Sequence, residues 1–315
     1  MYDIIGDIHG HADKLTKLLE KMDYSNSLGY WQHPTRKAIF VGDFIDRGPQ
    51  IREVLHIVKN MMDNDQAHAV MGNHEFNAIA YAFQQTDGSF LRSHSDMHNR
   101  QHQATLDQFS AHPEEWKEWL NWFYQLPLFL EIDGIRVVHA CWDQGHIDWL
   151  KRHHGGMLSE SLLIEAHVKG SKSYEVIEET LKGKEMNVPE HCVWYDKDGH
   201  ARTSNRIKWW IDKSNATHDA FLFNCPDMLH GIPVPDDIDI SVYPSDAPPV
   251  FFGHYWLEDK WPVIQSENVI CLDYSVAKGG SLVAYRWSGE KVLNKDHFVV
   301  VGNGLDEQYL SNQYY

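Results

Sequence analysis

Apolar runs that end at a glycine alternate with amphipathic segments in the first third of the chain. The run "YDIIG" precedes a segment in which Leu15, Leu18 and Leu19 recur at helical spacing. The run "AIFVG" is likewise followed by a polar loop and a second periodic segment, and a third apolar run ends in "VMGNHE". This order of strand, helix, strand, helix and strand predicts an α/β fold whose first strands lie parallel in one sheet.

The remaining two thirds of the chain are less regular. Residues 84–126 have helical periodicity, and Trp116, Trp119 and Phe123 fall on one helix stripe that we expect to serve packing. Residues 144–249 are rich in turn-forming residues and predict loops and short helices that cap a site. Strands are predicted in the segments "GIRVVHACWD", "PVFFGHYW", "VICLDYS" and "SLVAYRW", the last two as a hairpin.

Length and composition fit one folded enzyme-sized body. The 315 residues show no clear linker, so we predict a single domain over residues 1–315 with insertions at about 84–126 and 144–249. The formal net charge of -17 argues against general binding to nucleic-acid backbones, since such binding needs Lys and Arg to neutralise phosphates. The composition leaves the oligomeric state open.

The chain also lacks the marks of export. Its first residues, "MYDIIGDIHGHADK", carry acids and histidines instead of a basic region and a long apolar stretch, and no later run reaches membrane-spanning length. We therefore expect a cytoplasmic protein without a membrane segment. Widely spaced cysteines without a C-x-x-C pair fit reduced thiols.

Polar residues of one chemical kind follow five of the predicted strands. They are Asp7 and His9, Asp43, Asn73 and His74, His139, and His254. Because the carboxyl ends of strands in such a sheet face one crevice, we expect these side chains to converge. Their oxygen and nitrogen donors suit Mn, Fe, Zn, Co or Mg, and the number of ligands fits two divalent metal ions.

The motifs "GDIHG", "GDFIDRG" and "GNHE", a strand ending in His139, and "GH" at 253–254 together resemble the calcineurin-like metallophosphoesterase superfamily. Among its members, the intact "GDFIDRG" and "GNHE" are most similar to bacterial members of the phosphoprotein phosphatase family. The resemblance implies a four-layer αββα sandwich, in which helices cover two sheets and a binuclear metal centre lies between the sheet edges.

The resemblance also implies roles for the polar residues at the strand ends. Asp7 and His9 are expected to bind a first metal, Asn73, His139 and His254 a second, and Asp43 to bridge the two. Manganese is the expected ion, although iron, zinc, cobalt and magnesium accept the same ligands. Two such cations lower the pKa of a bound water, so a bridging hydroxide is the expected nucleophile.

Other residues of the motifs are expected to act on the substrate. By the same resemblance, His74 stays off the metals and protonates the leaving oxygen, and Asp46 orients it. Arg47 is expected to hold phosphate oxygens with its planar fork. A second phosphate-binding arginine is expected from a later loop, with Arg206 preferred over Arg202.

The expected activity is hydrolysis of phosphate monoesters, on a phosphoprotein or a small phosphorylated molecule. "HACWD" departs from the His-Gly-Gly of the eukaryotic protein phosphatases, which weakens the case for a dedicated phosphoprotein substrate. The first alternative is hydrolysis of dinucleoside polyphosphates, as in the similar bacterial diadenosine tetraphosphatases. The alternative from another class is an inactive module that binds phosphorylated ligands.

A few polar residues outside these motifs carry expectations of their own. His94, His98 and His102 have helical spacing and fit either an extra metal site or a solvated face, of which we expect the solvated face. Asp143 either supports the site from behind His139 or caps a loop, and Asp273 is expected to be structural.

Overall fold

Two β-sheets form the centre of the protein in a computed structural model, which describes residues 1–189, 192, 194–195, 201–214, 216–235 and 242–302. The helices are α1 (Ala12–Lys21), α2 (Ile51–Asp63), α3 (Asn73–Ala82), α4 (Asp96–Phe109), α5 (Pro113–Phe123), α6 (Gln144–His154), α7 (Glu160–Glu165), α8 (Lys172–Lys182) and α9 (His218–Phe221). The strands are β1 (Tyr2–Ile5), β2 (Lys37–Phe40), β3 (Ala67–Ala69), β4 (Phe129–Ile132), β5 (Ile135–Val138), β6 (Glu185–Asn187), β7 (Trp194–Tyr195), β8 (Ala201–Arg202), β9 (Ser204–Arg206), β10 (Val250–Phe252), β11 (Val269–Cys271), β12 (Asp273–Tyr274), β13 (Ser281–Trp287) and β14 (Phe298–Val301).

The larger sheet has the order β12-β13-β1-β2-β3, with β14 pairing with β13. Strands β1, β2 and β3 run parallel, as predicted, while β13 pairs antiparallel with β1, β12 and β14. The smaller sheet has the order β11-β10-β5-β4, in which only the β4–β5 pair is antiparallel. Two short antiparallel ribbons, β6–β9 and β7–β8, lie in the predicted cap region.

Both faces of each sheet are buried, so the sheets and helices lie in stacked layers. Ile4 and Ile39 belong to a core that also contains Val137 and Phe251 of the smaller sheet, so this core lies between the sheets. Their neighbours along the strands, such as Ile5, belong to a second core shared with the helices. Since adjacent strand residues point to opposite faces, each sheet has one face on its partner and one under helices. This arrangement confirms the predicted αββα sandwich.

Most predicted elements outside the motifs are present. Helices α4 and α5 fill the 84–126 region, and the Trp116, Trp119 and Phe123 stripe packs into the core, as expected. The predicted hairpin is formed by β12 and β13. Strands β4 and β14 were not predicted, nor were the short strands β6 to β9, because 144–249 was expected to contain only loops and short helices. The apolar run that contains β4 follows α5 with almost no turn signal. Within the described ranges, no helix is long and apolar enough to cross a bilayer. The single-domain assignment stays a prediction.

Candidate active site

The predicted ligands converge where the two sheets meet at their strand ends. Asp7 and His9 follow β1, Asp43 follows β2, and Asn73 and His74 open α3 just beyond β3. His139 and His254 follow β5 and β10 of the smaller sheet. All of these side chains are buried except that of His74, which is partly exposed to the cavity. The expected convergence is therefore correct.

Several of these residues have left-handed backbone conformations. The φ angles are 44° at His9, 54° at Asp43, 66° at Asp46, 68° at Arg47 and 68° at His254. A side chain at positive φ costs roughly 1 kcal/mol or more, and such residues concentrate where geometry serves a site. The sharp turns after the strands thus aim the polar side chains into one crevice.

Two glycines allow the carboxylates to sit close to the backbone. A Cβ atom on Gly72 would overlap Oδ1 of Asp43, and a Cβ on Gly253 would overlap Oδ1 of Asp7. The motif glycines before Asn73 and His254 are therefore required by close approach of the carboxylates.

Asp43 lies at the centre of the cluster. Its Oδ2 is 3.5 Å from Nε2 of His9, and its Oδ1 is 3.3 Å from Nε2 of His139. Donor atoms of His9, Asp43 and His74 lie within 4.8 Å of one another, and so do those of Asp43, His139 and His254. Asp43 is shared by both groups, which is the arrangement expected of a bridging ligand. Asp7 belongs to neither group.

The remaining expected ligands border the same cluster. Oδ1 of Asn73 lies 2.9 Å from Nε2 of His139. Oδ2 of Asp7 accepts a hydrogen bond from the backbone N–H of His254 at 3.0 Å. Within the described part of the chain, no hydrogen-bond partner reaches the buried Oδ1 of Asp7 or the buried Nε2 of His254. Buried oxygen and nitrogen atoms that lack a hydrogen-bond partner in this way are suited to bind a metal ion.

Hydrogen bonds orient two of the imidazoles toward the cluster. His9 donates from Nδ1 to the carbonyl oxygen of Ile45 at 2.9 Å, and His139 donates from Nδ1 to that of Val41 at 2.7 Å. In the neutral form of each ring, these bonds place the lone pair on Nε2, which faces Asp43. A backbone acceptor behind the ring is the usual support of a metal-binding histidine. The donor set therefore fits two divalent cations.

The ionisation of the cluster follows from its burial and mutual charges. Burial raises the pKa of Asp7 well above its ordinary value, and the charges of Asp273 and Asp43 add to the effect. Burial acts in the same direction on Asp43, but His139 and His74 overcome it and hold the pKa of Asp43 well below its ordinary value. Burial lowers the pKa of His9 to about 3, so this ring stays neutral and able to bind a cation.

Glu75 is a buried residue of the "GNHE" motif to which the sequence analysis gave no role. Its Oε2 accepts hydrogen bonds from the backbone N–H groups of Asp43 at 2.9 Å and Gly72 at 3.0 Å, and its Oε1 accepts from Phe44 at 2.8 Å. Burial and the charge of Asp43 raise the pKa of Glu75 to about 7. A Glu at the third position of a helix was the available signal, since such a residue often bonds to the backbone at the helix start.

His74 and Asp46 form the expected pair. Nδ1 of His74 lies 2.5 Å from Oδ2 of Asp46, which leaves Nε2 of His74 facing the cluster 3.9 Å from Oδ2 of Asp43. Burial opposes protonation of His74, yet Asp43 and Asp46 raise its pKa above the ordinary value. The imidazole is thereby suited to carry a proton toward the crevice.

The histidine row in 94–102 differs from the expected solvated face. His94 is exposed, but it precedes α4 and stacks between Tyr81 and Phe90, with ring centroids 3.9 Å and 4.0 Å away. His102 is only 6% exposed, and its Nδ1 donates to Oδ1 of Asp46 at 2.7 Å. The expectation was wrong for His102 because α4 packs this side chain onto the loop after β2, a contact that helical spacing alone does not reveal.

A cavity of about 930 Å³ opens in front of the cluster. Arg47 and Arg206 both line it, as expected of phosphate-binding residues. The Arg206 guanidinium lies over the rings of Tyr255 and Trp256, at 5.3 Å and 5.6 Å from the centroids. In the described ranges its buried Nε has no hydrogen-bond partner. The alternative residue, Arg202, lies in β8, and its side chain is outside what the structure describes.

Two further acidic residues have structural positions. Asp143 accepts a hydrogen bond from the backbone N–H of His146 at 2.9 Å and so caps α6, which agrees with the capping alternative. Asp273 accepts from the backbone N–H groups of Trp256 at 2.7 Å and Ser275 at 3.0 Å, which agrees with its expected structural role.

A two-sheet sandwich with a shared carboxylate between histidine groups at its strand ends defines a metal-dependent phosphoric ester hydrolase. The sequence model of the calcineurin-like phosphoesterases matches residues 2–254, and the chain belongs to this family.

The chain is also similar to individual proteins over different shares of its length. The chain is 43% identical over 74 residues to an asymmetrical bis(5'-nucleosyl)-tetraphosphatase of Halalkalibacterium halodurans, a match that covers 23% of this chain and 30% of that relative. It is 27% identical to a symmetrical bis(5'-nucleosyl)-tetraphosphatase of Vibrio parahaemolyticus over 93% of this chain and 97% of the relative. Among solved structures, a protein serine/threonine phosphatase of Saccharomyces cerevisiae is 15% identical with a TM-score of 0.49, covering 95% of this chain and 78% of that one.

Proposed function

We propose that this protein hydrolyses phosphate monoesters, on a small phosphorylated molecule or a phosphoprotein, at the cluster around Asp43. The observation that carries the proposal is that donor atoms of His9, and separately those of His139 and His254, lie within 4.8 Å of this one buried carboxylate. Such sharing suits a pair of cations, which need an anionic bridge to lie close together.

The proposed ligands of one metal are Asp7, His9 and Asp43, and those of the other are Asp43, Asn73, His139 and His254. Two divalent cations held there, proposed to be manganese, supply Lewis acidity toward phosphoryl oxygens and make water a stronger nucleophile near neutral pH. The unpartnered Oδ1 of Asp7 and Nε2 of His254 support this assignment.

His74 is proposed to protonate the leaving oxygen. Asp46 holds its Nδ1 at 2.5 Å, so the proton on Nε2 points into the crevice. The raised pKa of His74, to which Asp43 and Asp46 contribute against the effect of burial, keeps that proton available near neutral pH. A positioned acid of this kind contributes about 10² to 10⁴ in rate.

Arg47 and Arg206 are proposed to bind the phosphoryl oxygens. Both line the cavity, and among the described residues Arg206 is held by two aromatic faces and not by a carboxylate. Its charge is therefore free to pair with an anion. Planar guanidinium groups match phosphate geometry and stabilise charge that grows in the transition state.

A second candidate function is hydrolysis of dinucleoside polyphosphates. The size of the cavity, about 930 Å³, and its lining by Tyr81 and Trp256 beside several cations favour a nucleotide-sized substrate. The relative from Vibrio parahaemolyticus, matched over nearly its whole length, is a bis(5'-nucleosyl)-tetraphosphatase.

The experiment that tests the proposed function is turnover of para-nitrophenyl phosphate by protein stripped of metal and reloaded with manganese. Asp43→Asn and His74→Ala are assayed beside the wild type. Restored activity in the wild type, with most of it lost in both variants, supports the proposal. Two bound metals without turnover of this ester or of diadenosine tetraphosphate would instead favour a phospho-ligand binding module.

A further inference from the structure

Arg92 lies in the wall of the active-site cavity, away from the arginines of the proposed phosphate site. One Nη atom donates to Oδ1 of Asn77 at 3.1 Å, and the other donates to Oε1 of Gln101 at 2.8 Å. Both acceptors are neutral amides, and both line the same cavity. The guanidinium is thereby held in place without a carboxylate partner among the described residues.

The two amides place Arg92 beside the catalytic groups. Asn77 lies one helical turn after Asn73 on α3, so the two side chains are neighbours about 6 Å apart at Cβ. Gln101 directly precedes His102, which contacts Asp46. Arg92 therefore lines the same cavity as the Asp43 cluster and contacts the helix that begins at Asn73.

The guanidinium retains both donors and charge for a ligand. Arginine has five N–H groups, and in the described ranges two of the five donate to protein acceptors. Burial lowers the pKa of Arg92 from its ordinary value, while the charges of Asp46 and Glu178 oppose that change, and the side chain stays cationic at neutral pH. A half-buried cation facing a cavity attracts anions more strongly than one in open solvent.

A second cation extends this part of the wall. Lys182, at the end of α8, lines the same cavity and pairs with Glu178 one turn earlier. The pair neutralises part of its charge, so Arg92 is the stronger of the two anion-binding groups. Together they lie outside every motif that the family resemblance explains.

We propose that Arg92, assisted by Lys182, forms a second phosphate subsite that holds a phosphoryl group next to the scissile one. The favoured substrate is then a phosphate chain, and an isolated monoester leaves this subsite empty. The inference rests on the proposed function, because it assumes that the reacting phosphoryl group binds at the Asp43 cluster.

The competing role for Arg92 is a clamp that ties α3 to α4. A clamp would affect every substrate equally, whereas a subsite affects only substrates that reach it. The two roles are therefore distinguished by a comparison of substrates on one variant.

The test uses full-length, manganese-loaded wild type, Arg92→Gln and Arg92→Lys, with adenosine monophosphate, diadenosine tetraphosphate and inorganic tripolyphosphate as substrates. Arg152→Gln, exposed on α6 and outside the cavity, is the matched control. Melting temperatures of all variants report any loss of the clamp. Para-nitrophenyl phosphate turnover by the wild type reports the proposed function separately.

For Arg92→Gln, we expect kcat/KM to fall roughly tenfold more for both polyphosphates than for adenosine monophosphate, mainly through KM. Arg92→Lys retains part of the preference, and Arg152→Gln matches the wild type. Equal losses on all three substrates would overturn the subsite in favour of the clamp. A loss confined to the two adenosine compounds would overturn it in favour of a nucleoside contact.

Two outcomes separate the inference from the function on which it rests. Wild type that hydrolyses para-nitrophenyl phosphate but neither polyphosphate refutes the subsite and leaves the phosphatase intact. Wild type that hydrolyses none of the four compounds refutes the proposed function, and the subsite with it.

Discussion

The Nδ1 atom of His102 lies 2.7 Å from Oδ1 of Asp46, the carboxylate whose other oxygen is 2.5 Å from Nδ1 of His74. The Oγ1 atom of Thr105 also donates to Oδ1 of Asp46 at 2.6 Å. The same Oγ1 accepts a hydrogen bond from the backbone N–H of Asp46 at 3.0 Å. Asp46 therefore cannot rotate without losing contacts to α4. Through this carboxylate, a helix outside the motifs sets the direction in which His74 points.

His102→Ala should slow hydrolysis most for substrates with a poor leaving group. Loss of the His102 bond frees Asp46 and hence His74, and a misplaced acid costs between about 10-fold and 100-fold. Phenyl phosphate needs leaving-group protonation more than para-nitrophenyl phosphate does, so we expect a larger loss of kcat for phenyl phosphate.

Steady-state kinetics on the two esters check this expectation. His102→Asn is a variant that keeps a donor, and His153→Asn, at an exposed position of α6, is the control. Equal losses of kcat on both esters would mean that His102 supports the fold and does not position the acid.

Glu75→Gln should destabilise the protein by about 3 kcal/mol. Both carboxylate oxygens accept backbone N–H groups around Asp43 and Phe44, and the amide nitrogen of Gln would face one of these donors. Urea unfolding of the metal-free protein measures the change, with exposed Glu118→Gln on α5 as control. A loss no larger than that of the control would show that the N–H groups find other acceptors.

Sequence patterns predicted which polar side chains meet around Asp43, but not the side chains that support them, for a physical reason. Asp7, Asp43 and His254 lie within two residues of a strand end, so local pattern and strand order are sufficient to bring them together. The contacts of His102 and Arg92 depend instead on how α4 packs against the sheet. That packing is set by the shapes of many side chains, and helical spacing records only which residues share a helix face.

Two strands of the main sheets, β4 and β14, were missed for a related reason. Phe129–Ile132 lies in an apolar stretch that continues from α5, so periodicity gave no boundary. Phe298–Val301 is a short apolar run whose partner, β13, is fixed by antiparallel pairing in the sheet and not by local sequence.

The free energy of unfolding of the metal-free protein should decrease as the pH falls below neutrality, because His9 is neutral in the folded state. Its pKa is lowered by burial from 6.5 to about 3, so the unfolded chain binds a proton below pH 6.5 that the folded chain does not. Stability is then lost progressively from pH 6.5 downward, by about 2 kcal/mol over two pH units.

Comparison of wild type with His9→Gln isolates this contribution. We expect the free energy of unfolding to fall less steeply for His9→Gln between pH 6.5 and 4.5, as measured by urea titration at each pH. His153→Gln, in an exposed position, serves as control. Parallel curves for wild type and His9→Gln would show that His9 gains its proton equally in the folded state.

Gly253→Ala should weaken metal binding without removing any ligand. The added Cβ would overlap Oδ1 of Asp7, whose carboxylate must then move from its place beside the His254 backbone. Bound ligand stabilises a folded protein by RT ln(1 + [L]/Kd), about 2.7 kcal/mol at a hundredfold excess over Kd. Manganese should therefore raise the melting temperature of the wild type by more than that of Gly253→Ala.

The matched control is Gly145→Ala on α6, where a Cβ would meet only Oδ1 of Asp143 at 3.2 Å. Melting curves with and without manganese, after chelation, give the shift for each protein, and calorimetric titration gives the number of bound ions. If Gly253→Ala keeps the full shift and both ions, Asp7 is not a ligand, because its carboxylate cannot stay in place beside an alanine. A smaller shift with one ion lost would assign Asp7 to that ion.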